Sequence, residues 1–290
     1  MQPLQALYDV AAPAKLNLFL HITGKRADGY HLLQSVFMLI DWCDTLHFAL
    51  RTDGQITRED LNTTEANVAR LPEDDLTVRA AKALQRASAT PLGVHIGLHK
   101  RIPAQAGMGG GSSDAASCLR ALQRLWGVRL PPAELNALAL SLGADVPFFL
   151  SGGHAWVEGI GEKITPIALP KAQFVVVKPP AGLATQDIFN APSLKRDTET
   201  ATLHGFATCT DDELFKFGKN DLQPVAQQLC APLSQSLDWL AGQGLEGRMT
   251  GSGSAVFARL LLENQQLHTV PDGWTVHRCS SLQTHPLEGW

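Results

Sequence analysis

Residues 103–116, PAQAGMGGGSSDAA, constrain the fold more than any other stretch of the chain. Three glycines and two serines run together at 109–113, and a helical run, SDAASCLRALQRLWG, follows directly, with Gly127 placed to end it. Upstream lies GVHIGLHK (93–100), in which Val94, Ile96 and Leu98 alternate with His95, Gly97 and His99, the period of a strand. A strand, a glycine loop and a helix start in that order make an anion site. Glycines let the backbone approach the anion and aim successive N–H groups at it, and the helix start adds about half a positive charge. A flexible linker would not be clamped between a strand and a helix. The phosphate loop GxxxxGK[ST] is absent, and Pro103 with the long glycine run does not suit the GxGxxG turn of a dinucleotide unit. The loop therefore reads as a phosphate site without its own lysine.

The missing cation has two candidate sources. Lys15 sits in PAKLNLFL, an apolar strand where an ammonium is costly unless paired; the plainer alternative is a lysine snorkelling from a sheet edge. Lys100 and Arg101 stand just before the loop. A hydroxyl substrate also needs a base, and Asp145 in GADVPFF is the foremost candidate. It lies between a helix stop and an apolar run, where a carboxylate calls for a partner. A turn aspartate is the alternative, and pairing with Lys15 would satisfy both groups.

The rest of the chain reads as mixed sheet and helix. Residues 6–23 and 32–42 are apolar runs joined by the turn GKRADGYH, which predicts antiparallel strands. Asp74 and Asp75 precede LTVRAAKALQRAS as helix caps. Pro131 and Pro132 open a helix that Gly143 ends, after which GADVPFFLSGG turns back towards sheet. Strands are expected near 154–158 and 173–178. A polar loop follows near 193–204, then helices at 220–229 and 232–241, then a glycine turn into a strand across GRMTGSGSAVFARLLL. The division into two halves is placed at 1–160 and 161–290. The fold class is α+β. His95 and His99 fall on the polar face of a strand, so a metal pair there is set aside.

Composition narrows the function. The 290 residues carry a formal net charge of −4 and no basic run longer than two, which argues against nucleic acid as a partner. No window approaches the ~18–20 apolar residues of a membrane span, and no signal peptide is read in the opening residues. The five cysteines are scattered and never form CxxC, as in a reduced cytoplasmic protein. Asn62-Thr63-Thr64 matches a glycosylation sequon that such a protein would not use.

PAKLNLFLHITGKRADGYHLLQSVF, PAQAGMGGGSSDAASCLRAL, GADVPFFLSGG and RMTGSGSAVFA, in that order and spacing, resemble the galactokinase, homoserine kinase, mevalonate kinase and phosphomevalonate kinase superfamily over nearly the whole chain. The glycine loop marks only the superfamily. PAKLNL with RADGYH and GADVPFF resembles the branch that uses ATP to phosphorylate the 2-hydroxyl of a cytidine-diphosphate-linked methylerythritol. The resemblance implies a two-domain small-molecule kinase fold, with a ribosomal-protein-like N-terminal domain that binds ATP and a ferredoxin-like C-terminal domain on the substrate side. It implies that Pro103, Ala104, Gln105, Ala106, Gly107, Met108, Gly109, Gly110, Gly111, Ser112 and Ser113 form the ATP-phosphate loop, with Lys100 and Leu76 around the nucleotide base. Lys15 would stand beside the reacting phosphate and Asp145 would act as base. Asn17 and Thr185 would line the substrate site. Tyr30 and His31 would stack on and hydrogen-bond the cytosine, with Phe189 on its other face. Thr250 to Ser254 would support the loop. ATP and Mg²⁺ are the implied cofactors; no carboxylate ligand is assigned to the ion, and Ser113 at the helix start stands as one candidate beside ATP and water. Two departures stand out: Ala104-Gln105-Ala106 where relatives carry more glycine, and Asp75 where asparagine is common. A related kinase for mevalonate or homoserine lacks use for the pyrimidine clamp. A nucleotide-binding regulator without catalysis has no need of both Lys15 and Asp145.

Overall fold

The computed structural model describes residues 4–61, 71–262 and 265–290. The sequon at Asn62 lies outside them. Two long strands dominate the first half: β1 (Ala6–Lys25) and β2 (His31–Arg51), antiparallel along their length and joined by the GKRADGYH turn. β2 is the hub of the first sheet. Its start pairs with β5 (Ala155–Gly159) and its end with β4 (Gly93–His99). β3 (Ile56–Asp60) adds to β4 in parallel, and β6 (Lys163–Pro166) closes the other side. Between β3 and β4 the chain crosses over through α1 (Leu76–Ser88). The second sheet runs β10 (Thr275–Ser280), β7 (Gln173–Lys178), β9 (Val256–Leu260) and β8 (Arg248–Met249), all antiparallel.

The period of two in β2 sorts its side chains into two cores. Phe37, Leu39, Leu46 and Phe48 are buried with α1 and with α2 (Gly110–Trp126). Val36, Met38, Ile40 and Trp42 are buried with Phe174, Val176 and Phe257 of the second sheet. The opposite face of that sheet, Val175, Val177, Val256 and Ala258, packs on α8 (Gln223–Leu229) and α9 (Ala231–Gly242). The layers are helices, sheet, sheet, helices. The C-terminal segment returns to the first layer, where Leu287 is buried and its carbonyl accepts from Arg120 at 2.7 Å.

The expected strands and main helices are present, and α1 is capped by Asp75, which accepts from the Val78 N–H. GADVPFFLSGG does not return to sheet. It forms a short helix, α4 (Val146–Leu150), after α3 (Pro132–Leu142). Pro147 suits a first helical turn, and Phe148 meets Phe37 edge-on at 5.0 Å, so packing decides what a short apolar run could not. The short helices α5 (Thr185–Asn190), α6 (Leu203–Ala207) and α7 (Asp211–Lys216), and strand β6, were below the length at which periodicity speaks. Residue 160 falls in the β5–β6 turn, so the first sheet continues to Pro166. Among the described residues no helix is long and apolar enough to cross a membrane, no cluster of three His, Cys, Asp or Glu could hold a metal, and all five cysteines are free.

Candidate active site

The site begins at the edge of β1. One side of β1 is zipped to β2. Its other edge carries unpaired backbone groups, and such an edge must be covered. Three loops cover it. The Lys15 N–H donates to the Met108 carbonyl at 3.0 Å, the Asn17 N–H to the Thr250 hydroxyl at 3.0 Å, and the Leu20 N–H to the Lys219 carbonyl at 2.9 Å. Register shifts in β1 at Pro13/Ala14 and Asn17/Leu20 bend the strand between these contacts. The glycine loop and the Thr250–Ser254 turn are thereby brought to one strand edge from positions far apart in sequence.

The two loops also touch each other, backbone on backbone. A Cβ placed on Gly107 would lie 2.2 Å from the Thr250 carbonyl oxygen, and one on Gly251 2.6 Å from the Gly107 carbonyl oxygen. Both glycines have positive φ, so no other residue meets the turn and the approach together. The Ser254 N–H donates to the Gln105 carbonyl at 3.0 Å. Gln105 has φ 51°, the left-handed region where glycine would be comfortable, so the loop keeps the turn without it. Asn220 clamps the second loop through bonds of 2.8 Å to the Met249 and Gly251 carbonyls. Behind Gly109, α2 begins. Helix geometry leaves the N–H groups of Gly110, Gly111 and Ser112 without intrahelical acceptors. The Ser113 N–H already donates to the Gly109 carbonyl, and its side chain is fully buried.

Lys15 and Asp145 meet. The Lys15 ammonium, 3 % exposed, stands 3.7 Å from a carboxylate oxygen of Asp145. It donates to the Asn17 side-chain oxygen at 2.5 Å and lies 4.5 Å above the Phe37 ring. Asn17 is held in turn by the Ser35 hydroxyl at 2.9 Å. Burial pulls the Lys15 ammonium below the ordinary lysine range, and the charge of Asp145 and its hydrogen bond oppose this.

Lys100 has a different setting. Its ammonium is buried between Asp44 and Asp114, 2.6 Å from the latter. Burial alone would lower it, but Asp114 and Asp44 outweigh that and hold it above the ordinary range. Asp114, buried beside a second carboxylate, is raised well above its ordinary value. Asp44 also accepts from the Arg101 and Ile102 N–H groups at 2.5 and 2.8 Å, fixing the strand exit that leads into the loop. Asp75, where relatives commonly carry asparagine, is engaged as the α1 cap and pairs with Arg58 at 2.8 Å.

A cleft of about 900 Å³ joins these parts. Its walls include Lys15, Asn17, Leu76, Lys100, residues 103–112, Asp145, Thr185 and Phe189. Ser113, Tyr30 and His31 are not in that wall. Tyr30 is 60 % exposed, and His31 packs against Phe189, ring centroids 4.9 Å apart. Thr185 bonds Ser252 of the second glycine loop at 2.7 Å, which ties α5 to that loop. Arg196, which no motif signalled, binds both His31 and the carbonyl of Phe189. Its only trace in the sequence is a basic residue in a polar loop.

A glycine loop at a helix start, facing a buried lysine paired with a carboxylate across one cleft, is the site of a small-molecule kinase. Residues 75–153 match the GHMP kinases N terminal domain. The chain is 71 % identical over its full length, and over 97 % of the relative, to the 4-diphosphocytidyl-2-C-methyl-D-erythritol kinase of Polaromonas naphthalenivorans. A crystal structure of 4-(cytidine 5'-diphospho)-2C-methyl-D-erythritol kinase superposes with a TM-score of 0.71 at 34 % identity, covering 86 % of this chain and 88 % of that one. Homoserine kinase from Cytophaga hutchinsonii shares the fold alone: TM-score 0.70, 15 % identity, 98 % of this chain and 97 % of that one. The chain belongs to the 4-diphosphocytidyl-2-C-methyl-D-erythritol kinase family of GHMP kinases, ATP-dependent phosphotransferases with the two-domain α+β fold of that superfamily.

Proposed function

We propose that this chain transfers the γ-phosphoryl group of ATP to the 2-hydroxyl of 4-diphosphocytidyl-2-C-methyl-D-erythritol. ADP and the 2-phosphate are the products, in the cytoplasm, on the non-mevalonate route to isoprenoid precursors. The observation that carries this reading is the Lys15–Asp145 pair, 3.7 Å apart in the wall that also holds the glycine loop and Phe189. The phosphates of ATP lie against the N–H groups at 110–112, with the base near Leu76 and Lys100. Asp145 takes the proton of the 2-hydroxyl as its oxygen bonds to the γ-phosphorus and the bond to the β-phosphate oxygen breaks. Lys15 offsets the charge on the transferring group, which is where most catalysis of phosphoryl transfer arises. Asn17 orients Lys15. Tyr30, His31 and Phe189 hold the cytosine.

Mg²⁺ accompanies ATP, and its fit can be read from the donors present. The described residues offer no cluster of three acidic or histidine ligands, and Ser113 is buried out of the cleft wall. Ser112, Asp114 and Asp145 line the wall beside the loop, and Asp114 is engaged by Lys100. An ion held mostly by phosphates and water suits that set. When bound, it neutralises phosphate charge.

The test is ADP release with ATP, Mg²⁺ and four acceptors: the cytidylyl methylerythritol, mevalonate, homoserine and galactose. Turnover of the cytidylyl compound alone is expected. Turnover of another alcohol instead would keep the kinase and discard the pyrimidine clamp.

A further inference from the structure

Arg196 lies in the segment after α5 and makes four hydrogen bonds. Nη1 donates to the Leu194 carbonyl, and Nη2 to the carbonyls of Phe189 and Ala191, all at 2.9 Å. Nε donates to Nε2 of His31 at 3.0 Å. One side chain thus joins the first residue of β2 to the end of α5, the two places that carry the rings at the far end of the cleft. A guanidinium has five donors, no acceptor, and keeps its charge across the working pH range. His31 Nε2 therefore presents a lone pair. A neutral imidazole with its lone pair on Nε2 carries its proton on Nδ1. Nδ1 has no protein partner among the described residues, so its N–H is open to a ligand.

We propose that Arg196 is a positioning residue that locks His31 as the Nδ1–H tautomer, so that the His31 ring, packed on Phe189 of the cleft wall, offers a hydrogen-bond donor to a ring acceptor such as cytosine N3. Uracil carries N–H at position 3 and is disfavoured where cytosine is accepted. The inference rests on the cytosine-binding reading above. The charged groups facing His31 are Arg196 and Lys25, the latter its register partner on β1. Burial first, then these two cations, keep the ring neutral and the tautomer defined.

The direct test needs no substrate. Long-range ¹H–¹⁵N spectra of the full chain labelled with ¹⁵N-histidine should show His31 protonated on Nδ1, its signal identified by its absence in His31→Gln. Protonation on Nε2 would overturn the proposal. Kinetics supply the second arm. In Arg196→Met the imidazole is free to move its proton to Nε2, so KM for the cytidylyl substrate should rise about tenfold near pH 8, with kcat and KM for ATP close to those of the parent. The defect should shrink towards pH 6 or so, because the imidazolium regains the Nδ1 donor. A defect that does not vary with pH would make Arg196 merely structural. Arg196→Lys, which keeps the charge and one donor, should show the same pattern more weakly. If the parent enzyme turns over no cytidylyl compound, the cytosine reading fails and the specificity claim with it, while the spectra still decide the tautomer.

Discussion

The two ends of the cleft are built from different materials. At the phosphate end the contacts are backbone to backbone: Gly107 against Thr250, Gly251 against Gly107, Lys15 N–H to Met108. The Lys15 side chain there is buried and tied to Asn17, Asp145 and the Phe37 ring. At the other end, proposed for the pyrimidine, the contacts are side-chain rings on a turn and a six-residue helix, with Tyr30 60 % exposed and Arg196 holding His31 and Phe189. The homoserine kinase, 15 % identical, keeps the fold at a TM-score of 0.70. Backbone geometry survives such sequence change because many residues support it. One end is therefore held by many backbone contacts and the other by a few side chains.

The largest effect should come from Asp145→Asn. Removing the base lowers kcat by about 10²–10⁴-fold, while calorimetry still finds both ATP and the cytidylyl substrate bound. Turnover near the parent value would take Asp145 out of the base role. Next is Gly107→Ala, which places a methyl 2.2 Å from the Thr250 oxygen at φ 72°. It should cost roughly 2–4 kcal/mol in denaturant unfolding and abolish tight ATP binding, because two loops must part. An unchanged unfolding midpoint would mean that the loop contact is soft and the contrast between the ends overstated. Tyr30→Ala should raise KM for the cytidylyl substrate about tenfold and leave thermal stability alone, since the ring is exposed and packs on no other ring among the described residues. A fall in Tm would reassign Tyr30 to the fold.

Acid should loosen the core behind the rigid end. His154 accepts from the Leu39 N–H and is otherwise buried, and burial pushes it down to about 4. His285 is pushed down to about 3 by burial and by Arg120. The unfolded chain titrates these near 6.5, so it binds more protons than the folded chain below that pH. Their contribution is complete above about pH 6.5 and is lost as pH falls through 4 towards 3. His154→Gln should flatten the fall of Tm with acid; an identical acid limb in the variant would place the sensitivity elsewhere. The smallest effect is expected for Asp114→Asn. Burial raises the Asp114 carboxyl well above its ordinary value, so its charge is disfavoured there, and with Asp44 still beside Lys100 the change should cost under about 1 kcal/mol. A loss of several kcal/mol would show that Lys100 needs both charges.

Much of the rigid end was legible along the chain. GMGGGSSDAA between a strand and a helix identifies an anion loop because glycine conformations and helix starts are local matters. Lys15 and Asp145 stood out because a charge in an apolar run is locally anomalous. The α4 turn was misjudged, since five apolar residues carry no period, and the packing of Phe148 on Phe37 chose the helix. Arg196 gave no local sign at all. Its contacts exist only because the start of β2 lies beside the end of α5.

The amino-acid order alone settles the loop, the caps, the strand alternation and the family motifs, all of which act over a few neighbouring residues. It could not settle that the β1 edge gathers Met108, Thr250 and Lys219, that Lys100 is enclosed by Asp44 and Asp114, or that one guanidinium joins His31 to Phe189. Those pairings span up to 233 positions, from Asn17 to Thr250. They follow from two sheets burying their apolar faces together, a condition met only by the whole fold.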